Sequence, residues 1–442
     1  MLPDYLTKAV PIAEGKRAPW YANTAPSYAG IFLWIVFYQQ IAGNTLAHAG
    51  LGVCLLALAT AGVLCYALYY RVSALLGMQT GYPLYVVGSS TFGAKGGYIM
   101  PGLLMGLLQV AWFAVATFVA TDFLLKGLGM KAEPMTVPFV VGGVLWGGAM
   151  AWVGAKGIRY VSRVSLFLNT IPLIMLLVVF FRTAGGIGKY QVPAGQDSPY
   201  VGFTATLAVV IGFFATAGAA GADFGMNSRN ESDVRWGGLV GITLAALIAG
   251  GLSLASVAGA HGANLTQGWD YDGVMQAIGG PTATAMFFLF AIASIPATCF
   301  CAFIVGNSFS TMIPGVPRVA SSMAGCAVGV ILGVTGVAAN LVSFFTIVGA
   351  SFGPICGAMA ADYLLSGRRW AGPREGVNLA GYIAWAIGFL VGTLPFLPLP
   401  PDLKPYLQPA VLYSFITGFV TYAIAAKAGL QPKVSGVLAK SA

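Results

Sequence analysis

Gln109 and Trp112, in the run Gln109-Val110-Ala111-Trp112-Phe113, have the types and the spacing to recognise a flat polar ring. Three residues apart, they share one face of a helix. A carboxamide offers a donor and an acceptor to the edge of a heterocycle, and an indole offers a stacking surface. The alternative is an interfacial tryptophan beside an unrelated interhelical glutamine. Trp112 sits well inside its apolar run, which disfavours the interfacial belt. The second constellation is Gly212-Phe213-Phe214-Ala215-Thr216-Ala217-Gly218-Ala219-Ala220-Gly221-Ala222-Asp223. Its three glycines weaken a helix, so an interruption is expected there. Phe213 and Phe214 would flank it and clamp a flat ligand against Trp112, while Thr216 and freed backbone groups read the polar edge. Core or lipid packing is the alternative for either phenylalanine. A matching interruption is expected at Ala42-Gly43-Asn44-Thr45, which would bring Gly43 and Asn44 to the same site.

The acids carry less. Asp223 is separated from Arg229 by only five residues. It is expected at the inner end of its helix in a gate or structural role, capping backbone or pairing with a basic residue, in preference to proton coupling. Asp362, just ahead of Arg368 and Arg369, reads the same way, and Asp122 near an outer helix end reads as solvated. His48 and His261 read as ordinary polar contacts near outer helix ends. Cys54, Cys65, Cys299, Cys301, Cys326 and Cys356 all fall in apolar segments and read as buried thiols rather than disulfides or ligands. Gly325, Gly329 and Gly333, four apart, make a close-packing helix face with no chemistry attached. The sequence holds no Walker A pattern, metal-ligand cluster or nucleophile constellation, so neither an enzyme nor a resident metal or cofactor is expected.

The elements that must position these residues follow from composition. The chain has 442 residues, of which 58% are hydrophobic and 8% charged, with mean hydropathy +0.82. Soluble domains carry roughly 25% charged residues, so this is an all-α integral membrane protein. Apolar runs long enough to span number about twelve, near 27–48, 51–70, 99–125, 135–154, 161–181, 203–224, 237–260, 283–308, 319–335, 338–365, 378–396 and 407–427. With the N-terminus inside, 17 of the 22 Lys and Arg residues fall on the cytoplasmic side. The exceptions are Lys126, Lys131, Arg182, Lys189 and Lys404. This bias places both termini in the cytoplasm, in a multi-pass protein of the cell membrane, and accounts for the net charge of +9 without a nucleic-acid partner. No removable signal peptide is expected.

The organisation expected is a cytoplasmic segment 1–25, a ten-helix core 26–370, two peripheral helices in 371–428 and a tail 429–442. Two longer outer connections, about 182–202 and 261–282, are lids or simple turns. Within the core, the first and sixth helices both carry interruptions and lie five helices apart, so the second unit starts with the opposite orientation. Paired broken helices in inverted repeats, here about 26–181 and 203–365, mark the leucine-transporter architecture and its midmembrane binding site. A break survives in lipid only where protein or a watery cavity covers it.

Four motifs then resemble the cytosine permease group of the nucleobase:cation symporter-1 family. They are Phe92-Gly93-Ala94-Lys95-Gly96, Gln109 to Phe113, Thr216-Ala217-Gly218 running to Ala222-Asp223-Phe224, and Gly353-Pro354 running to Ala361-Asp362-Tyr363-Leu364 and Arg368-Arg369. The resemblance implies alternating access and inward transport of a nucleobase or similar small heterocycle with a cation, proton or sodium. It also implies that Gln109, Trp112 and Phe214 surround the base, with Thr216 where a family hydroxyl sits. The eighth helix departs from the pattern: in Ala293-Ser294-Ile295-Pro296-Ala297-Thr298-Cys299-Phe300 only Ser294 and Thr298 offer ion-binding hydroxyls, and Pro296 distorts the helix. Weak or absent sodium dependence is therefore expected. The asparagines typical of cytosine carriers are missing there too, which leaves the heterocycle open. An amino-acid or vitamin carrier on the same fold is the next reading, and a channel or receptor the last. Oligomeric state is not legible.

Overall fold

A computed structural model describes residues 2–156, 168 and 170–435. The expected start of the fifth helix, Arg159, Arg163 and the end of the tail with Lys440 lie outside the described residues.

Ten helices are long and apolar enough to cross a bilayer among the described residues. They are the second helix (Leu51–Thr80), third (Gly96–Gly127), fourth (Val137–Lys156), fifth (Thr170–Lys189), sixth (Pro199–Ala219), seventh (Glu231–Gly262), eighth (Gly280–Met312), tenth (Leu341–Leu365), eleventh (Leu379–Phe396) and twelfth (Ala410–Leu430). The ninth, Arg318–Val334, is apolar but shorter. The first is split into Thr24–Leu33 and Ile35–Tyr38. With these two the chain folds as the twelve-helix arrangement with broken first and sixth helices that the apolar runs imply.

The first break falls at a different residue from that expected, and the sixth falls within the expected stretch, towards its far end. The first helix opens at Trp34, whose φ of −70° and ψ of 128° are extended. The Ala42–Thr45 stretch comes later, in a run of turns beyond the second half-helix. The sixth helix runs unbroken through Gly212 and Gly218 and turns only at Ala220, before the short helix Gly221–Gly225. Its glycines serve packing instead. A Cβ on Gly212 would stand 2.7 Å from the Phe345 carbonyl oxygen, so glycine lets the sixth and tenth helices touch backbone to backbone. The stripe on the ninth helix acts as expected: Cβ atoms on Gly329 and Gly333 would lie 3.0 Å from the carbonyls of Val110 and Ala114. The ninth helix thus backs the stretch of third helix that carries Gln109 and Trp112.

Both described chain ends pack on one face. The Tyr5 hydroxyl donates to the Ala94 carbonyl at 2.7 Å, and Ala18 pairs with Ser228. At the other end Arg374 pairs with Val434, and the Ser435 amide donates to the Pro373 carbonyl at 2.8 Å. This terminal face also holds two short helices, Leu84–Val87 and Ser89–Phe92, between the second and third spans. On the opposite face the 261–282 connection folds into a helix, Tyr271–Ile278. His261 stacks on Trp269 at 3.9 Å and faces the Gly268 carbonyl, while His48 faces that of Gln196, which are the plain polar contacts expected of both. All six cysteines are buried and free.

Candidate substrate site

Trp112 sits 5% exposed in the middle of the third helix, where four rings from three other helices converge on it. Phe213 of the sixth helix meets it edge-on, with centroids 5.4 Å apart at 88°. Phe344 of the tenth does the same at 4.7 Å, and the neighbouring Phe345 lies at 5.8 Å. From the first helix, Trp34 at the break stands 5.8 Å away. Such edge and tilted contacts are the favoured aromatic geometry, worth about 0.5–1.5 kcal/mol each beyond burial. The indole N–H of Trp112 donates to Thr216 Oγ1 at 3.1 Å, joining the third helix to the sixth. Thr216 lies three residues after Phe213, so both face Trp112.

Phe214 turns the other way. It stacks on Phe32 at 5.5 Å and 13°, and leans on Tyr28 at 5.6 Å. Of the two phenylalanines, the structure places Phe213 against Trp112 and uses Phe214 to bind the sixth helix to the first. Gly43 and Asn44 do not join the cage either. Asn44 is exposed, and Gly43 packs beside Trp269 on the face opposite the termini. The first helix contributes Trp34 in their place. Trp34, Phe344 and Phe345 were missed by sequence reasoning, although Trp34 carries the signal that singled out Trp112: a tryptophan well inside an apolar run.

Gln109, one turn before Trp112, is 7% exposed. Among the described residues its Nε2 reaches only the Met105 sulfur, at 3.7 Å, and its buried Oε1 has no partner. A buried polar atom without a partner costs about 1–3 kcal/mol. In the eighth helix Ser294 and Thr298 are fully buried. The Ser294 hydroxyl donates to the Phe290 carbonyl at 3.0 Å and accepts the Trp34 indole N–H at 3.3 Å. Thr298 donates to the Ser294 carbonyl at 2.7 Å. Both hydroxyls are committed within the helix, and the chain turns at Ser294, ahead of Pro296.

The two acids lie apart from the cage, at the terminal face. Asp223 Oδ2 accepts the Leu84 amide at 3.4 Å, at the start of a short helix, and has no ion-pair partner among the described residues. Asp362 is 3% exposed and fully engaged. Its Oδ1 accepts from Arg374 at 3.0 Å and Gln431 at 3.4 Å, and its Oδ2 accepts from Ser90 at 2.6 Å and Thr91 at 3.2 Å. Its ion-pair partner is therefore Arg374, beyond the adjacent Arg368 and Arg369.

Residues 11–420 match the family described as the permease for cytosine/purines, uracil, thiamine and allantoin. The chain belongs to this family. Two cytosine permeases of Escherichia coli, from O157:H7 and from strain K12, are 27% and 26% identical to it over 344 residues, 75% of this chain and 76% of each relative. A nucleobase-cation-symport-1 family transporter, in a closed conformation with bromovinylhydantoin bound, shares the fold with a TM-score of 0.67. It is 19% identical, over 97% of this chain and 96% of that one. The same transporter in its inward-facing conformation gives 0.69 at 17% identity with the same coverage, and a Na+-coupled sialic acid symporter gives 0.61 at 13% over 98% and 95%. The chain is thus a multi-pass membrane permease of this family, a secondary transporter rather than an enzyme, on the expected leucine-transporter fold.

Proposed function

We propose that this permease imports a nucleobase, or a small heterocycle closely like one, and binds it in the cage of Trp112, Phe213, Trp34 and Phe344 with Gln109 reading its edge. The observation that carries this is the Gln109 amide, buried with Oε1 unpaired one turn from Trp112. A ring amide offers an N–H to that oxygen and a carbonyl to the Nε2, which now holds only a thioether, so binding would recover the cost of burying both. The rings supply stacking area, and Thr216 holds Trp112 in place.

Alternating access then has a physical basis. Trp34 and Ala220 mark the points where the first and sixth helices can bend, and both helices meet at the cage. The family and the curated relatives support a base-like substrate, and the lysine and arginine bias supports a cytoplasmic terminal face. The Ser294 oxygen already accepts the Trp34 indole N–H, which leaves the Thr298 hydroxyl alone in this stretch and supports little or no dependence on sodium.

Uptake of labelled cytosine, uracil, adenine, hypoxanthine, thiamine and allantoin into cells lacking their own carriers tests the reading. Accumulation of at least one base, abolished by Trp112→Ala, is expected. Accumulation of thiamine alone would move the site to the vitamin reading, and accumulation of none would end the proposal.

A further inference from the structure

On the face opposite the termini a chamber of about 170 Å³ opens where the third helix, the end of the first helix, the Tyr271–Ile278 helix and the start of the tenth helix meet. Ligand pockets for drug-sized molecules run to about 300–1,000 Å³, so this space suits a guest no larger than a single small ring system. Phe118 and Phe123 form apolar walls, and Asp122, Lys126, Asp270 and Asp272 line the rest. Lys126 bridges Asp122 at 2.7 Å and Asp272 more closely still. Gln39 Nε2 donates to Asp272 at 2.7 Å, and the Tyr271 amide donates to the Gln39 carbonyl at 2.9 Å.

The account of charge and hydrogen bonds does not close. Three carboxylates face one ammonium, so negative charge is in excess. Gln39 is 9% exposed and lines the chamber, and its buried Oε1 has no partner among the described residues. The chamber therefore has acceptors to spare and is short of donors. No group of three or more His, Cys, Asp or Glu side chains among the described residues could hold a metal ion, and aromatic walls do nothing for an ion that needs oxygens. They suit a flat ring whose edge carries N–H groups.

We infer that this chamber is an outer waiting site that selects rings bearing an amino group over their oxo counterparts before they reach the cage. The inference rests on the nucleobase reading above and deepens it. An amino ring donates to Gln39 Oε1 and to the rim carboxylate of Asp270. In the same pose the oxo counterpart turns a carbonyl towards those same oxygens and is repelled.

Equilibrium binding of labelled cytosine, uracil, adenine and hypoxanthine to the full-length purified protein separates the two levels. Trp112→Ala disables the cage. The variant is expected to keep weak binding that favours each amino ring over its oxo partner by about tenfold, the value of one hydrogen bond to a charged group. Adding Asp270→Asn, at an exposed position where folding is not at risk, should erase that preference, as should adding Gln39→Leu. In uptake, Asp270→Asn alone should raise KM for the amino ring several-fold and leave the oxo ring unmoved. Residual binding without preference, or equal KM changes for both rings, would overturn the waiting site and leave the cage standing. A wild-type protein that binds none of the four would overturn the nucleobase reading and the waiting site together.

Discussion

Gln109 in the cage and Asp362 at the terminal face are both buried polar side chains, yet their surroundings are opposites. Asp362 receives four side-chain donors, from Arg374, Gln431, Ser90 and Thr91. The same network continues as Arg374 Nε donates to the Ser90 carbonyl at 2.9 Å, and Gln431 donates to the Tyr422 hydroxyl at 2.8 Å. It ties the loop after the second helix, the end of the tenth, the start of the eleventh and the chain's last described residues into one clamp. Gln109 has a thioether for one end of its amide and nothing for the other. Completed pairing belongs to architecture, and the buried amide left open beside an aromatic wall is what carries the proposed substrate site.

The comparison can be broken from either side. The largest effect is expected from Asp362→Ala, which strands the Arg374 charge at a buried position. Losing one partner of such a pair costs about 3–5 kcal/mol, so the thermal unfolding midpoint in detergent should fall sharply, while whatever protein survives keeps its order of preference among bases. An unchanged midpoint with lost transport would make Asp362 part of the site. A smaller, contrasting pair sharpens the cage. Phe213→Leu should weaken base binding by about 5-fold or more, since aromatic stacking on a base is worth about 1–3 kcal/mol. Phe214→Leu should lower stability and leave affinity alone, because its ring faces Phe32. Titrations of the two variants side by side decide this, and equal losses of affinity would contradict the assignment. The smallest effect is expected from replacing sodium by choline in an uptake assay, a change of less than about twofold, because the Ser294 oxygen already accepts the Trp34 indole N–H and the eighth-helix stretch adds only Thr298. A collapse of uptake would show that sodium displaces that bond.

The apolar runs and the bias of Lys and Arg made the twelve helices and the shared face of the two termini legible, because a bilayer imposes length and charge on each segment separately. Gln109, Trp112, Phe213 and Thr216 were legible too, from residue type and spacing within one helix. What was not legible depends on how helices sit against one another. The first helix opens at Trp34, with neither Gly nor Pro at the break, and that residue's indole is held by Ser294, 260 residues away. The glycines of the sixth helix suggested a bend, yet Gly212 serves a backbone approach by Phe345. Which of two adjacent phenylalanines meets Trp112 is a matter of rotation between packed helices, and the tenth helix's Phe344 and Phe345 enter from a distant part of the chain. The clamp at Asp362 likewise joins residues up to 284 positions apart, so the acid read as a gate or structural group beside Arg368 and Arg369 and its actual partners did not show.

The most direct measurement is the affinity of the transported base for the wild-type protein and for Gln109→Leu, with the unligated unfolding midpoint taken on the same samples. Leucine keeps the volume and removes an amide that pays a burial cost, so the midpoint should hold or rise. Affinity should fall by at least about tenfold, because the ring loses its edge partners. Equal affinity in the two proteins would contradict the account, as would a drop in affinity matched by a large loss of stability.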